Sequence, residues 1–343
     1  MMSQKTAGLI KRQKKAVFVG ISLVVILIVL FVVSLNTGVM KIDPLTVIKT
    51  VFGHGEATDE LLLFEFRLPR IVIAVLIGMG LAMSGAVLQG VVKNPLADPG
   101  IIGINAGAGL AVTLFVTYFS TEVGGSIFLM PIVAFIGAGL TAVTIYAFSY
   151  KKDEGISPIR LILVGVAVAA GISALMIVLT LKIDPKTYDF VATWLAGSIW
   201  GSSWNFVFAL LPWLIVLMPY VYFKARELDV MNLSDSTAVS LGMDLEKERR
   251  TLLAAAVGLA AASVSVSGGI GFVGLIAPHM TRRIVGDAYR YVLPISALIG
   301  GVLVLAADTI GRVILQPAEI PTGVVVAIIG APYFLYLLAK LND

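Results

Sequence analysis

The chain has 343 residues, of which 58% are hydrophobic and only 13% are charged, with a net charge of +4. Soluble domains carry about 25% charged residues, so this composition excludes a soluble protein and predicts that lipid surrounds much of the molecule. The sequence contains no cysteine, which excludes disulfides, thiolate metal sites, thiol catalysis and a lipoprotein anchor.

The N-terminal region combines a basic cluster with a long apolar run. Lysine and arginine fill four of the five positions 11–15, and apolar or small residues then run from 16 to 35. A signal peptide has a shorter apolar region and a small-residue cleavage site, and neither is clear here. The pattern predicts a retained first transmembrane helix, with a cleaved signal peptide as the alternative.

Further apolar runs follow along the whole chain. A helix needs about 20 apolar residues to cross the hydrocarbon core. The candidate spans are 16–35, 71–92, 99–119, 127–150, 160–181, 204–223, 251–267, 270–284, 291–307 and 323–339. The eighth is the weakest candidate, because its apolar run ends at His279 and Arg282.

The distribution of basic residues supports ten spans. With ten spans and a cytoplasmic N-terminus, 18 lysines and arginines lie inside and 7 outside; without the eighth span the division is 15 to 10. Because cytoplasmic loops are richer in lysine and arginine, we expect an all-α membrane protein with both termini in the cytoplasm. Residues 1–343 would form a single transmembrane domain, with a long outer loop at 36–69 and a long cytoplasmic loop at 224–250.

Small residues recur at four-residue spacing on several predicted helices. On the second span they are Gly78, Ala82, Ala86 and Gly90. Such faces allow helix backbones to approach closely in lipid. We therefore expect the second span to pack tightly against its neighbours.

The residues that commonly perform chemistry are not grouped in this sequence. No GxxxxGK[ST] phosphate-binding loop occurs, and His54 and His279 are far apart on opposite predicted sides, so neither a nucleotide site nor a metal site is expected. The middle of every span lacks charged residues, which disfavours proton- or sodium-coupled transport. Asp308 and Arg312, spaced i, i+4, are expected to form a local ion pair. We expect no catalytic residue and no cofactor, so energy for transport would come from a partner.

Distinctive motifs occur in four parts of the chain. They are Arg67-Leu68-Pro69-Arg70; GAVLQG at 85–90 with NPLADPGIIG at 94–103; GIGFVGLIAPH at 269–279; and Ala307-Asp308 with Arg312, EIPTGV at 319–324 and GAP at 330–332. In this order, and across nearly the whole chain, they resemble the FecCD family of ABC permeases. That family carries iron–siderophores, haem and cobalamin.

The resemblance implies a fold and a set of partners. It implies a type II ABC importer permease with ten transmembrane helices in a bacterial cytoplasmic membrane. A second permease copy, in a homodimer or a heterodimer, would complete a central pathway within the membrane lipid. Two cytoplasmic ATP-binding subunits would drive transport, and an extracytoplasmic substrate-binding protein would deliver the substrate; no nucleic-acid partner is expected.

Family resemblance also places a docking site on the outer surface. Arginines there meet glutamates of the binding protein, and the matching residues are Arg67, Arg70 and Arg312. All three lie outside in the independent charge distribution. The alternatives are anchoring to lipid headgroups or, for Arg312, the pair with Asp308.

A coupling site for the ATP-binding subunit is implied within the cytoplasmic loop. The residues expected to form it are Ser234, Asp235, Ala238, Leu241 and Gly242. Ser234 or Asp235 can cap a short helix, on which Ala238 and Leu241 would present a small apolar face to a groove on the partner. The alternative is a solvated loop.

A cytoplasmic gate is the third implied site. Asn94, Pro95 and Leu96 follow the second span, and Ser157 and Pro158 precede the fifth. Irregular backbone at membrane depth usually lines a cavity. The alternative is that the Asn-Pro step only ends a helix.

The function that these observations favour is import of a ferric siderophore by a permease subunit that performs no bond-breaking chemistry. Within the same family, cobalamin and haem are alternative substrates, and nothing in the chain selects among the three. The rival from another class is a stand-alone secondary carrier or channel, which would transport without nucleotide. An intramembrane enzyme is disfavoured, because no convergent set of His, Asp and Glu is apparent.

Overall fold

The computed structural model describes residues 2–38, 43–119, 126–151 and 155–341, and most of these residues are helical. The helices are α1 (Met2–Asn36), α2 (Pro44–Val51), α3 (Ala57–Glu60), a π-helical stretch (Leu61–Arg67), α4 (Leu68–Val92), a 3-10 turn (Pro99–Ile102), α5 (Ile104–Tyr118), α6 (Ser126–Ser149), α7 (Pro158–Thr180), α8 (Pro185–Leu195), α9 (Trp204–Phe223), α10 (Ala225–Met231), α11 (Asp235–Ser240), α12 (Leu245–Ser267), α13 (Val273–Val285), α14 (Tyr289–Ile314) and α15 (Thr322–Leu341). A short antiparallel hairpin, β1 (Tyr150–Lys151) and β2 (Gly155–Ile156), connects α6 to α7.

Eight helices within the described residues are long and apolar enough to cross a membrane. Two of the ten predicted spans are shorter than expected. The segment 99–119 begins with a 3-10 turn and leaves the 15 residues of α5, and the segment 270–284 contains the 13-residue α13. At 1.5 Å per residue, α13 is about 20 Å long, less than the hydrocarbon thickness of about 30 Å. The count of ten and the cytoplasmic position of both termini stay predictions.

The core of the bundle is built around α4, which packs against α12, α13 and α14. A Cβ on Gly78 would lie 2.2 Å from the carbonyl oxygen of Gly300 on α14, and one on Gly85 would lie 2.0 Å from that of Gly274 on α13. Backbone therefore meets backbone at both crossings, as small residues permit. The close packing expected of the second span is confirmed.

Short helices that were not predicted as elements lie between the spans, namely α2, α3, α8 and α10. Among them, α8 is fixed by Asp184, whose Oδ1 accepts hydrogen bonds from the backbone N–H groups of Lys186 and Thr187, both at 3.1 Å. It buries Val191 and Trp194. In the loop 224–250, α10 comes before the short helix α11, which was expected, and α12 then begins.

The chain turns back into the bundle after α4. Lys93 ends α4 in a left-handed conformation (φ 53°), and the side chain of Asn94 then accepts a hydrogen bond from the N–H of Leu96 at 2.9 Å. A Cβ built on Gly274 would lie 3.1 Å from Oδ2 of Asp98 and 3.1 Å from the carbonyl oxygen of Leu81. Leu81 is about 16 Å from the end of α4, so the segment 93–98, here called the gate loop, extends from the end of α4 to the middle of the bundle.

Candidate functional site

An ion-pair network joins the start of α4 to the end of α14. Arg70 Nη2 lies 2.8 Å from Asp308 Oδ1, and Arg70 Nη1 lies 2.8 Å from Glu319 Oε2. Arg312 Nε lies 3.1 Å from Asp308 Oδ2, which confirms the predicted i, i+4 pair. Thr322 donates to Asp308 Oδ1 at 3.2 Å. Asp308 thus holds two guanidinium groups in a position with no solvent exposure.

The same network reaches the end of α1. Arg67 donates to the carbonyl of Leu35, and Arg312 donates to the Ser34 hydroxyl and, at 3.2 Å, to the carbonyl of Thr37. All three arginines expected to dock a binding protein therefore lie together. They are largely buried: the exposed fraction of the side chain is 12% for Arg70 and 5% for Arg312.

Two cavities open beside these arginines and share Arg70, Trp200 and Glu319 in their walls. One has a volume of about 380 Å³ and the other, which also contacts Arg67 and Arg312, about 340 Å³. Glu319 is the more accessible acid of the network, with 25% of its side chain exposed. An incoming group would reach Arg70 through these cavities and would compete with Glu319 for it.

The short helix α11 in the loop 224–250 begins as predicted. Ser234 Oγ accepts a hydrogen bond from the N–H of Thr237 at 3.1 Å, so Ser234 is its N-cap. Gly242, at φ +83°, ends the segment, and its N–H donates to the carbonyl of Val239 at 2.9 Å. A left-handed residue after a helix is the position that favours glycine.

The expectation that Ala238 shares an exposed face with Leu241 is wrong. Ala238 is fully buried against the rest of the chain, whereas Leu241 is 65% exposed and Val239 57% exposed. The reason is that Asp235 ties the helix to its neighbours. Its carboxylate lies 2.7 Å from Lys93 Nζ and 2.9 Å from Arg249 Nη2, which turns the following helical turn, and Ala238 with it, inward.

These contacts set the ionisation of Asp235. Burial alone would raise its pKa, but the hydrogen bonds from Lys93 and Arg249 outweigh burial and hold the pKa below its usual value. The carboxylate is therefore charged at neutral pH, in the form that pairs with Lys93 and with Arg249 of α12.

The expected gate residues fall into two places. Pro95 and Leu96 line a cavity of about 240 Å³, whose other lining residues are His279, Arg283, Leu337 and Lys340. Ser157 and Pro158 lie at the start of α7, where the Ser157 carbonyl accepts a hydrogen bond from Leu161 N–H at 3.0 Å. Among the described residues, Ser157 does not line the cavity of Pro95 and Leu96.

Sequence reasoning missed several residues around the gate loop. Arg283 and Lys340 bring positive charge to its cavity, and Gln89 contacts the loop from within α4. A signal for Gln89 existed, because an amide inside an apolar span must find hydrogen-bond partners. No comparable signal marks Lys340, which lies more than 200 residues from the gate loop in the sequence.

Comparison with known proteins places the chain in one family. It matches the FecCD transport family over residues 26–340. It is 48% identical over 336 residues to the iron(3+)-hydroxamate import system permease protein FhuG of Bacillus subtilis, covering 97% of this chain and 99% of that protein. It is 42% identical over 292 residues to the cobalamin import system permease protein BtuC of Halobacterium salinarum, covering 84% of this chain and 75% of that protein.

A solved structure agrees with this placement. An ABC transporter described as of metal-chelate type, in an inward-facing conformation, superposes with a TM-score of 0.79 and 30% identity, covering 94% of this chain and 98% of the solved one. Identity at this level, over nearly the whole of both chains, supports a common family as well as a common fold. The chain is therefore a multi-pass membrane permease and belongs to the FecCD transport family, as its sequence motifs indicated.

Proposed function

We propose that this chain is the permease subunit of an ABC importer that moves a ferric siderophore across the bacterial cytoplasmic membrane. The observation that carries the proposal is the 48% identity with FhuG over nearly the full length of both proteins. The eight long apolar helices, together with α5 and α13, supply the ten spans of a type II permease with both termini in the cytoplasm. A second permease copy, two ATP-binding subunits and an extracytoplasmic binding protein complete the transporter.

The outer end of the bundle receives the binding protein. Arg67, Arg70 and Arg312 are clustered there, beside two cavities that give access to Arg70. Glu319 already pairs with Arg70 at 2.8 Å. A glutamate of the docking protein would therefore replace Glu319 as the partner of Arg70. Such an exchange leaves no buried charge unpaired in either state, which keeps the free energy of docking modest and release rapid.

The cytoplasmic end couples to the ATP-binding subunit through α11. Val239 and Leu241 project from this helix and its C-terminal turn, with Leu233 (47% exposed) before it. A short helix with exposed apolar side chains suits a groove on a partner. Ser234 and Gly242 define the two ends of the helix, and Ala238 and Asp235 fix its orientation on the bundle.

Changing both exposed residues to aspartate (Val239→Asp with Leu241→Asp) should remove the ATP-binding subunit. Burial of each side chain at an interface contributes about 1.5–3 kcal/mol, so we expect affinity to fall by about 100-fold or more. Co-purification in mild detergent with the ATP-binding subunit measures this. Lys247→Asp, which places an acid at an exposed position near the start of α12 in the same loop, is the matched control and should retain the subunit. Equal retention by both variants would assign α11 to the solvated-loop alternative.

Gating is assigned to the gate loop and the start of α7. Asn94, Pro95 and Leu96 lie where the chain re-enters the bundle, and Ser157 and Pro158 begin α7. When the ATP-binding subunits close on nucleotide, movement of α11 reorients the helices around the pathway. The gate loop follows α4 and lacks helical hydrogen bonding, so it changes conformation at a lower cost than the helices beside it.

Transport by the reconstituted complex tests the function itself. With binding protein, ATP-binding subunits and this permease in liposomes, we expect ATP-dependent uptake of a ferric hydroxamate. Cobalamin is the second substrate to assay, because of the 42% identity with a cobalamin import permease. Uptake of cobalamin in place of the ferric chelate would correct the substrate, and uptake without nucleotide would replace the importer with a stand-alone carrier.

A further inference from the structure

The side chain of Gln89 is buried in α4 and has a partner at each end of its amide. Nε2 donates to the carbonyl of Ala97 in the gate loop at 3.3 Å and to the carbonyl of Gly274 at 3.1 Å, while Oε1 accepts from Arg282. Two carbonyl acceptors on one side and a guanidinium donor on the other permit a single orientation of the amide. Gln89 therefore fixes the gate loop to both α4 and α13.

Arg282 continues the connection towards α14. Its Nη2 donates to the hydroxyl of Tyr289 at 3.0 Å, and its guanidinium carbon lies 5.5 Å from the centre of the Tyr289 ring. Tyr289 is fully buried. A Cβ on Gly90 would lie 2.3 Å from the Tyr289 hydroxyl, so a glycine at this position makes room for the contact.

The backbone of Tyr289 completes the connection. Its N–H donates to Asp229 Oδ1 on α10 at 2.9 Å. Burial raises the pKa of Asp229, and the hydrogen bond from Tyr289 opposes that rise. Asp229 lies five residues before Ser234, the N-cap of α11. An unbroken series of contacts thus runs from α10 to Ala97.

We propose that Gln89 and Tyr289 are positioning residues that transmit movement of the α10–α11 segment to the gate loop. This inference rests on the proposed function. Asp229, Tyr289, Arg282, Gln89 and Ala97 form the series, here called the relay. Its central members are buried away from water. In the low dielectric of the protein interior, hydrogen bonds are stronger and reinforce one another.

A second contact joins the same two segments at the surface. Lys93, at the start of the gate loop, lies 2.7 Å from Asp235 of α11 and donates to the carbonyl of Leu233 at 2.6 Å. Exposed ion pairs contribute at most about 1 kcal/mol. We therefore assign the larger share of the coupling between α11 and the gate loop to the buried relay. A displacement of α10 and α11 then moves both ends of the gate loop together.

The variant Tyr289→Phe tests the relay, because it removes one hydroxyl and keeps the ring. Gln89→Glu tests it at the other end, since a carboxylate still pairs with Arg282 but cannot donate to Ala97. In the reconstituted transporter we expect ATP hydrolysis within about twofold of wild type and substrate moved per ATP reduced about tenfold, in the range of usual coupling free energies. Tyr291→Phe, two residues along α14 with its ring 4.5 Å from Arg290, is the matched control and should behave as wild type.

The possible outcomes separate the two proposals. If wild type transports with ATP and Tyr289→Phe moves as much substrate per ATP, the relay is wrong and the importer stands. If Tyr289→Phe loses the ATP-binding subunit or its own folded state, the hydroxyl serves stability, and the relay is again wrong. If wild type itself shows no ATP-dependent uptake, the proposed function fails first. Only loss of transport with hydrolysis retained supports the relay.

Discussion

Gly85→Ala is expected to prevent the bundle from assembling. A Cβ at this position would lie 2.0 Å from the carbonyl oxygen of Gly274 and 2.4 Å from its Cα. Both atoms are backbone, so relief requires α4 and α13 to separate along their contact. Overpacking usually costs about 1–3 kcal/mol, and a backbone clash lies at or above the upper end of that range. The measurement is the yield of monodisperse protein in detergent and its thermal midpoint.

Gly139→Ala on α6 is the control for Gly85→Ala. Nothing lies within 4 Å of a Cβ at Gly139, and alanine is favoured over glycine inside a helix by about 1 kcal/mol. We expect this variant to be as stable as wild type or slightly more so. Similar thermal midpoints for the two variants would contradict the backbone contact between α4 and α13.

Asp308→Ala is expected to have the second largest effect. It leaves Arg70 and Arg312 buried without their shared carboxylate, and breaking a buried pair by removing one partner costs about 3–5 kcal/mol. Glu319→Gln is the comparison, because Glu319 is a quarter exposed and pairs with Arg70. Thermal unfolding in detergent should show a clearly smaller loss for Glu319→Gln.

A double variant checks the cause of the Asp308→Ala effect. If the cost comes from unpaired guanidinium groups, adding Arg312→Ala to Asp308→Ala removes one of them. The loss in the double variant should then be smaller than the sum of the two single losses, because residues in one network are not additive. Strict additivity would show that Asp308 acts through packing instead.

Much of the helical architecture was predictable, because hydropathy reports which segments can be surrounded by lipid. The eight long spans and the close packing of Gly78 follow from composition and from small-residue spacing. Hydropathy does not report where a helix begins. Phe272 adopts a left-handed conformation (φ 65°) directly before α13, so the apolar segment 270–284 contributes only a short helix.

The residues of the candidate sites could be proposed from the sequence, but their contacts could not. The Asp308–Arg312 pair follows from spacing along one helix, whereas the Arg70–Asp308 pair joins residues 238 positions apart and leaves no mark in the sequence. Ala238 illustrates the same limit. A helix of six residues makes fewer than two turns, so its inward face is decided by Lys93 and Arg249 on Asp235, not by its own pattern.

The bonds at the end of α1 have a consequence for the order of biosynthesis. The last carbonyls of a helix have no partners within that helix, and here Arg67 and Arg312 bind the carbonyls of Leu35 and Thr37. Arg312 lies 278 residues after Ser34. The helix α1 therefore acquires its contacts with Arg312 only when α14 has been synthesised, and a nascent chain that stops earlier carries an α1 whose C-terminal end lacks these contacts.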